Sequence, residues 1–325
     1  MPLRQLPEWA KHEWVWIGFP SHADLWQEDL EPARAEVIAF AQAVHAGGAG
    51  EQVRLVAADP DSARDARQMA GPGIAVIEEG FGDIWLRDTG PIVLGERSRR
   101  SAASFRFNGW GGKYDLVGDD TIGLRLAAAA GMDAERRDWI LEGGAIDVDG
   151  TGLLVTTEQC LLNPNRNAGM TKGEIEARLR TDLGVHRILW LGDGLLNDHT
   201  DGHVDNLARV VGTNRLAVPV PAADDPNAVM YADARARAEA FGVEVLPLPS
   251  PGRVLRDGEI VPASYMNFYV GNAAVVVPIY GAANDDAAVA AVGDLFPGRR
   301  AVGVRSDHIL TGGGSFHCIS QHVPC

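Results

Sequence analysis

Four stretches of this chain set residues capable of chemistry among glycines: 83–91 (DIWLRDTGP), 141–144 (LEGG), 201–206 (DGHVDN) and 312–318 (GGGSFHC). Glycine lets a backbone approach a ligand closely and accept dihedrals closed to other residues. Cys318 follows three glycines and has His317 beside it, which suits a thiol nucleophile served by a histidine from elsewhere in the chain. Cys160 lies in a strand-like run and Cys325 is the last residue, so neither has that setting. His203 and Asp205 are two apart; in a strand they would share a face and could act on one ligand. Taken singly, Asp88 reads more readily as a cap and Glu142 as a turn carboxylate than as chemistry.

The surplus of acids is itself informative. Carboxylates converging on a thiol oppose its ionisation, because like charge raises a thiol's pKa. Such a site makes sense when the ligand supplies positive charge. A guanidinium stays protonated at neutral pH and offers donors that carboxylates bind in bidentate fashion. A rival lies in the same stretch: His199 and His203 form an H-x3-H spacing flanked by Asp198, Asp201 and Asp205, all potential metal ligands. That spacing works best on a helix, and Gly202 with its polar neighbours opposes one here. A metal-dependent hydrolase using the His199/His203 segment therefore stands second, and no metal is expected.

The elements that must position these residues alternate. Apolar runs reading as strands occur at 14–18, 53–57, 91–94, 152–156, 187–191, 215–220, 243–248 and 273–279. Helical patterns lie between them. Thr171 and Glu174 form a capping box, with Ile175 and Leu179 on one face and Gly184 as the stop. Asp225 as N-cap and Pro226 at the first position predict a second helix, and a third runs over 285–296. Alternating strands and helices give an α/β protein. Several strand pairs have no helix between them, so a purely parallel dinucleotide-binding sheet is a poor match. There is no GxGxxG after a strand and no P-loop.

With 325 residues, 46% hydrophobic and 22% charged, the chain can bury a large core. Its formal net charge of −15 disfavours nucleic acid and anionic membranes and mildly favours cationic ligands. Three cysteines argue against a disulfide framework and fit a reducing compartment. No signal peptide and no apolar run of membrane-spanning length is visible, so a cytoplasmic location is expected.

The motifs WLRDTGP, FNGWGGKYD, LEGGAIDVDGTGLLVTTEQCLLNPNRN, DGHVDN, PASYMNFY and GGGSFHCISQ, in that order after the opening PEWAKHEWVWIGFP, resemble the agmatine deiminase branch of the guanidino-group-modifying enzymes. That branch includes the bacterial type of peptidyl-arginine deiminase. The resemblance covers almost the whole chain and implies one deiminase domain over residues 1–325. Its fold would be the α/β propeller, or pentein, with five ββαβ modules around a pseudo-fivefold axis. The implied reaction hydrolyses the guanidinium of agmatine to N-carbamoylputrescine and ammonia, a step toward putrescine in polyamine biosynthesis. It proceeds through a covalent thiouronium on cysteine and uses no metal or organic cofactor.

By position, Cys318 matches the nucleophile, His203 the general acid/base and Glu142 the acid that partners it. Asp88 and Asp205 match the two guanidinium-binding aspartates, while Trp85 and Trp110 match aromatics near the substrate channel. The partner implied is a small cationic guanidino substrate, and relatives are often homo-oligomers. The chain departs from the pattern at one place. Agmatine deiminases commonly carry an acid four residues before the histidine, where it helps bind the distal amine; here that residue is His199, with Asp198 or Asp201 as possible substitutes. Free or peptidyl arginine is accordingly the alternative substrate, and a non-catalytic guanidine or polyamine binder is the more distant one.

Overall fold

A computed structural model describes residues 3–96 and 99–325. Every apolar run named above lies in a strand. The strands fall into small sheets that repeat one topology. Ile92–Leu94 pairs antiparallel with Ser101–Arg106, which pairs parallel with Ala134–Ile140 across the helix Asp119–Ala129. The same order recurs in Ile146–Val148, Leu153–Thr157 and Arg187–Leu191 around the helix Lys172–Leu183. It recurs again in Arg209–Gly212, Arg215–Val220 and Glu244–Pro249 around Ala228–Phe241. Tyr269–Val270, Ala274–Ile279 and Arg300–Arg305 around Asp285–Leu295 make the fourth copy.

The fifth copy joins the two ends of the chain. The last strand, Ser320–Pro324, pairs antiparallel with the first, His12–Gly18, which continues in parallel to Gln52–Ala57 and Ile74–Glu78. The architecture is thus the α/β propeller of five ββαβ modules, with the ring closed by that terminal pairing. Parallel strands covered on both faces read as continuous apolar runs, which is why AVVVPI of Ala274–Ile279 is almost wholly buried.

Local signals account for most helix ends. Thr171 accepts from the backbone of Glu174 while the Glu174 side chain accepts from Thr171, and Gly184 ends the helix in the left-handed region. The expected start at Asp225–Pro226 is corrected: the helix begins at Ala228 with Asn227 before it. Asp225 instead receives the Asn227 N–H at 2.9 Å and the Ser250 hydroxyl, so a local turn captures the carboxylate.

One regularity positions everything that follows. A one-turn helix or equivalent bend immediately precedes the first strand of each module: Leu86–Thr89, Gly143–Ala145, Val204–Leu207, Tyr265–Asn267 and the turn 316–319. Candidate residues sit on these bends, upstream of an outgoing strand. His203 and Asp205 are not in a strand at all; His203 caps the turn Val204–Leu207, which carries Asp205.

Candidate active site

The five bends bring Asp88, Glu142, His203 with Asp205, Asn267 and Cys318 together, all buried. Glycines allow this crowding. A Cβ on Gly144 would lie 2.7 Å from His203 Nδ1, 2.8 Å from Asp88 Oδ1 and 3.0 Å from Asp205 Oδ2. The EGG motif thus leaves room for side chains from two other modules. In GGGSFHC, Gly312 and Gly314 make way for the Trp85 indole, and Gly313 holds a left-handed φ of 100°.

Cys318 is 3% exposed and packs within the largest apolar cluster. Its thiol donates to Asp205 Oδ2 at 3.3 Å and receives Asn267 Nδ2–H at 2.9 Å. Asn267 Oδ1 also accepts from the backbone N–H of His317 and of Cys318, at 3.0 and 3.2 Å. Burial, and then the charges of Asp205 and Asp88, push the Cys318 thiol well above its ordinary pKa.

Asp88 accepts Gly144 N–H on Oδ1 and Trp110 Nε1–H on Oδ2, both at 2.9 Å. Burial, reinforced by Asp205 and Glu142 against the opposing charge of His203, raises it to about 6. Asp205 behaves oppositely. Burial pushes it up, but the hydrogen bond and charge of His317 outweigh that and hold it below the usual carboxylate value. Its Oδ1 has no protein partner among the described residues. His203 lies 3.7 Å from Asp88 Oδ1 and is fully buried, with neither ring nitrogen hydrogen-bonded among those residues. Burial disfavours its charged form, yet Asp88, Cys160 and Glu142 raise it well above an ordinary histidine. Glu142 is gripped on Oε1 by Arg166 Nε at 2.6 Å, leaving Oε2 open.

Asp88 and Cys318 open onto a cavity of about 290 Å³, with the other groups buried behind them. Trp26, Trp85, Trp110 and Tyr114 wall it, and Asp83 and His199 also line it. The two tryptophans proposed for the channel therefore both reach it, Trp85 through an indole N–H bonded to Asp83 at 2.6 Å. His199 Nδ1 meets the Tyr114 hydroxyl at 3.0 Å. The two neighbouring acids are held outside this cavity. Asp201 is taken by Lys113, Arg166 and Asn165, and Asp198 accepts from Thr200 without lining this cavity.

The H-x3-H reading loses its geometry, since His203 is buried among the carboxylates while His199 stands on the cavity wall against Tyr114. The group of potential ligands brought together is Glu142, Cys160 and His203, without His199. Cys160 is there because it sits in the short helix Glu158–Leu161, not in a strand as read from sequence. Prolonged chelation is expected to leave turnover unchanged, as measured by ammonia release. Loss of activity restored by added zinc would reinstate a metal mechanism.

Sequence reasoning missed Asn267, although its motif PASYMNFY was in view, and Arg166 in NPNRN. It also missed Glu8, Arg87 and Arg209, a buried charge cluster beneath Cys318. Equivalence of position in the modular repeat is the signal that would have found Asn267.

The fold is that of the pentein α/β propellers: a DDAH from Pseudomonas aeruginosa, only 12% identical, still superposes over 96% of this chain with a TM-score of 0.52. Residues 4–324 match the family model described as Porphyromonas-type peptidyl-arginine deiminase, and the chain belongs to that family. It is similar to an agmatine deiminase of Stutzerimonas stutzeri, 35% identical over 98% of this chain and 94% of the relative. It is similar also to the solved agmatine deiminase of Enterococcus faecalis, with a TM-score of 0.93, 30% identity and 99% and 96% of the two chains covered. A substrate-bound C. jejuni agmatine deiminase carrying a Cys-to-Ser change gives a TM-score of 0.92 at 28% identity, covering 99% of this chain and 96% of that one.

Proposed function

We propose that this protein is an agmatine deiminase, hydrolysing the substrate's guanidinium to a ureido group and ammonia, with residues 1–325 acting as one deiminase domain in the cytoplasm. The observation that carries this reading is the meeting of Cys318 with Asp88, Asp205, Glu142 and His203 at the end of an aromatic-walled cavity onto which Cys318 and Asp88 open. Named relatives across the full length support it.

Asp88 and Asp205 hold the guanidinium, Asp205 through its open Oδ1, so that the central carbon faces Cys318 Sγ. A delocalised guanidinium is a poor electrophile, and fixing it between carboxylates supplies orientation and charge complementarity. In the free protein burial and then the surrounding carboxylates keep the thiol protonated. The arriving cation offsets that negative field, the thiol loses its proton to solvent, and the thiolate attacks carbon. His203, oriented with Glu142 behind it, protonates the departing ammonia. The resulting S-alkylthiouronium is then attacked by water that His203 deprotonates, which breaks the C–S bond and restores the thiol.

A panel of agmatine, free arginine and peptidyl arginine, read by ureido formation, tests the assignment. Agmatine is expected to give the highest kcat/KM, and no turnover of any member would end the reading. Arginine, free or peptidyl, is the second reading, favoured by His199 standing on the cavity wall in place of an acid. His199→Glu is accordingly expected to improve agmatine over guanidines without a distal ammonium, by about 1 kcal/mol or roughly fivefold. An unchanged ratio in a competition assay would show that this position does not meet the tail.

A further inference from the structure

We propose that His317 is a positioning residue, an imidazolium clamped between Asp205 and Glu8 that turns one Asp205 oxygen to the Cys318 thiol and leaves the other open to the guanidinium. The proposal rests on the reading of Asp205 as a guanidinium ligand.

The geometry defines the ring's state. His317 is 3% exposed, with Nδ1 2.7 Å from Asp205 Oδ2 and Nε2 2.9 Å from Glu8 Oε2. Nδ1 hydrogen-bonds Asp205 and Nε2 stands at ion-pair distance from Glu8. An ionised carboxylate oxygen presents only lone pairs, so a bare ring nitrogen against either one would be repelled, and only the cation carries a proton on both. The backbone leaves little freedom: His317 N–H donates to Asn267 Oδ1 at 3.0 Å, and its carbonyl receives Arg87 Nε–H at 3.2 Å.

Charge balance gives an independent argument. Glu8 is bonded by Arg87 at 2.9 Å and Arg209 at 3.0 Å, and Arg209 also bonds Asp147 at 2.9 Å. The buried cluster therefore holds three carboxylates, Glu8, Asp147 and Asp205, against two guanidinium groups. Within that cluster a charged His317 makes three against three, His203 on the far side of Asp205 being set against Asp88 and Glu142, and an uncompensated buried charge is costly. His322, beside Arg87, cannot supply the cation, since burial and the neighbouring His12 and Arg87 depress its pKa strongly. On its other side Asp205 faces His203 and the Cys318 thiol.

His317 thus acts on the substrate through Asp205. Its N–H occupies Oδ2 together with the thiol, which leaves Oδ1 as the oxygen without a protein partner. Its charge offsets the burial that would otherwise protonate Asp205. Asn at position 317 can still donate from near the place of Nδ1, but it carries no charge and does not reach Glu8.

Two measurements test this. In protein labelled with ¹⁵N-histidine, with His317 assigned through its loss in His317→Asn, both ring nitrogens are expected to be protonated at pH 7.5. In kinetics, His317→Asn is expected to raise KM for a guanidine substrate about tenfold or more. It should also raise by about one pH unit the Asp205 step of the acid limb of kcat/KM, which lies below the step that Asp88 sets near 6, as a carboxylate losing a neighbouring cation does. At pH 5 the variant should therefore lose more activity relative to wild type than at pH 8, a pH dependence that a merely structural defect would not give. A resonance from an unprotonated ring nitrogen overturns the proposal whether or not the variant folds. An acid limb and KM unchanged from wild type overturn it equally. If the protein turns over no guanidine, the functional reading fails by itself, and the ¹⁵N spectrum still decides the state of His317.

Discussion

Cys318→Ser should lower turnover by about 10⁴-fold or more while leaving the fold and much of the substrate binding intact. The change keeps a small polar atom where Asn267 donates and Asp205 accepts, so the local hydrogen bonds survive. The nucleophile does not. Mass spectrometry of wild-type protein quenched during turnover should find a covalent adduct on Cys318. Labelling of Cys160 or Cys325 with Cys318 dispensable would end the assignment. Because burial and two neighbouring carboxylates raise this thiol's pKa, its alkylation by iodoacetamide in the free protein should be slow at neutral pH and quicken as pH rises. Rapid alkylation at pH 7 without substrate would contradict the view that the arriving cation permits ionisation.

Asp88→Asn and Asp205→Asn should each cost about 3–5 kcal/mol, a factor of hundreds to thousands in kcat/KM, because one partner of a buried charge pair becomes neutral. At Asp88 the amide also turns a donor toward either Gly144 N–H or Trp110 Nε1–H, both of which need an acceptor. The free protein should show the consequence of its own pKa as well. Asp88 titrates near 6, so its carboxylate is neutralised below that pH, and kcat/KM should fall as pH drops from 7 to 5. Exposed Asp138→Asn is the control and should have little effect. Asp147 and Asp149, which the sequence marks only as acids beyond the EGG motif, are not neutral controls. Asp147 bonds Arg209 and Asp149 ties the turn at Thr151, so their loss should appear in thermal unfolding more than in KM. Equal kinetic losses at all four sites, Asp88, Asp205, Asp147 and Asp149, would mean that folding defects had been taken for chemistry.

Short-range physics made part of this molecule readable from the chain alone. Strands such as Arg187–Leu191 and the Thr171–Glu174 capping box depend on side-chain pattern and on bonds between residues a few positions apart. The grouping of glycines with Cys318, His203, Glu142, Asp88 and Asp205 was equally visible, and an excess of acids around a thiol suggested a cationic ligand before any contact was known. The tertiary structure decided what those acids do. It separated Asp88, raised by burial, from Asp205, held ionised by His317, and it set His199 on the cavity wall away from His203. It placed Asn267 and Cys160 beside the site, and it buried Glu8, Arg87 and Arg209 beneath Cys318. None of these could be read in advance, because each depends on which bends the modular repeat brings together. Partners such as Glu8 and His317, more than 300 residues apart, meet only when the last strand closes against the first.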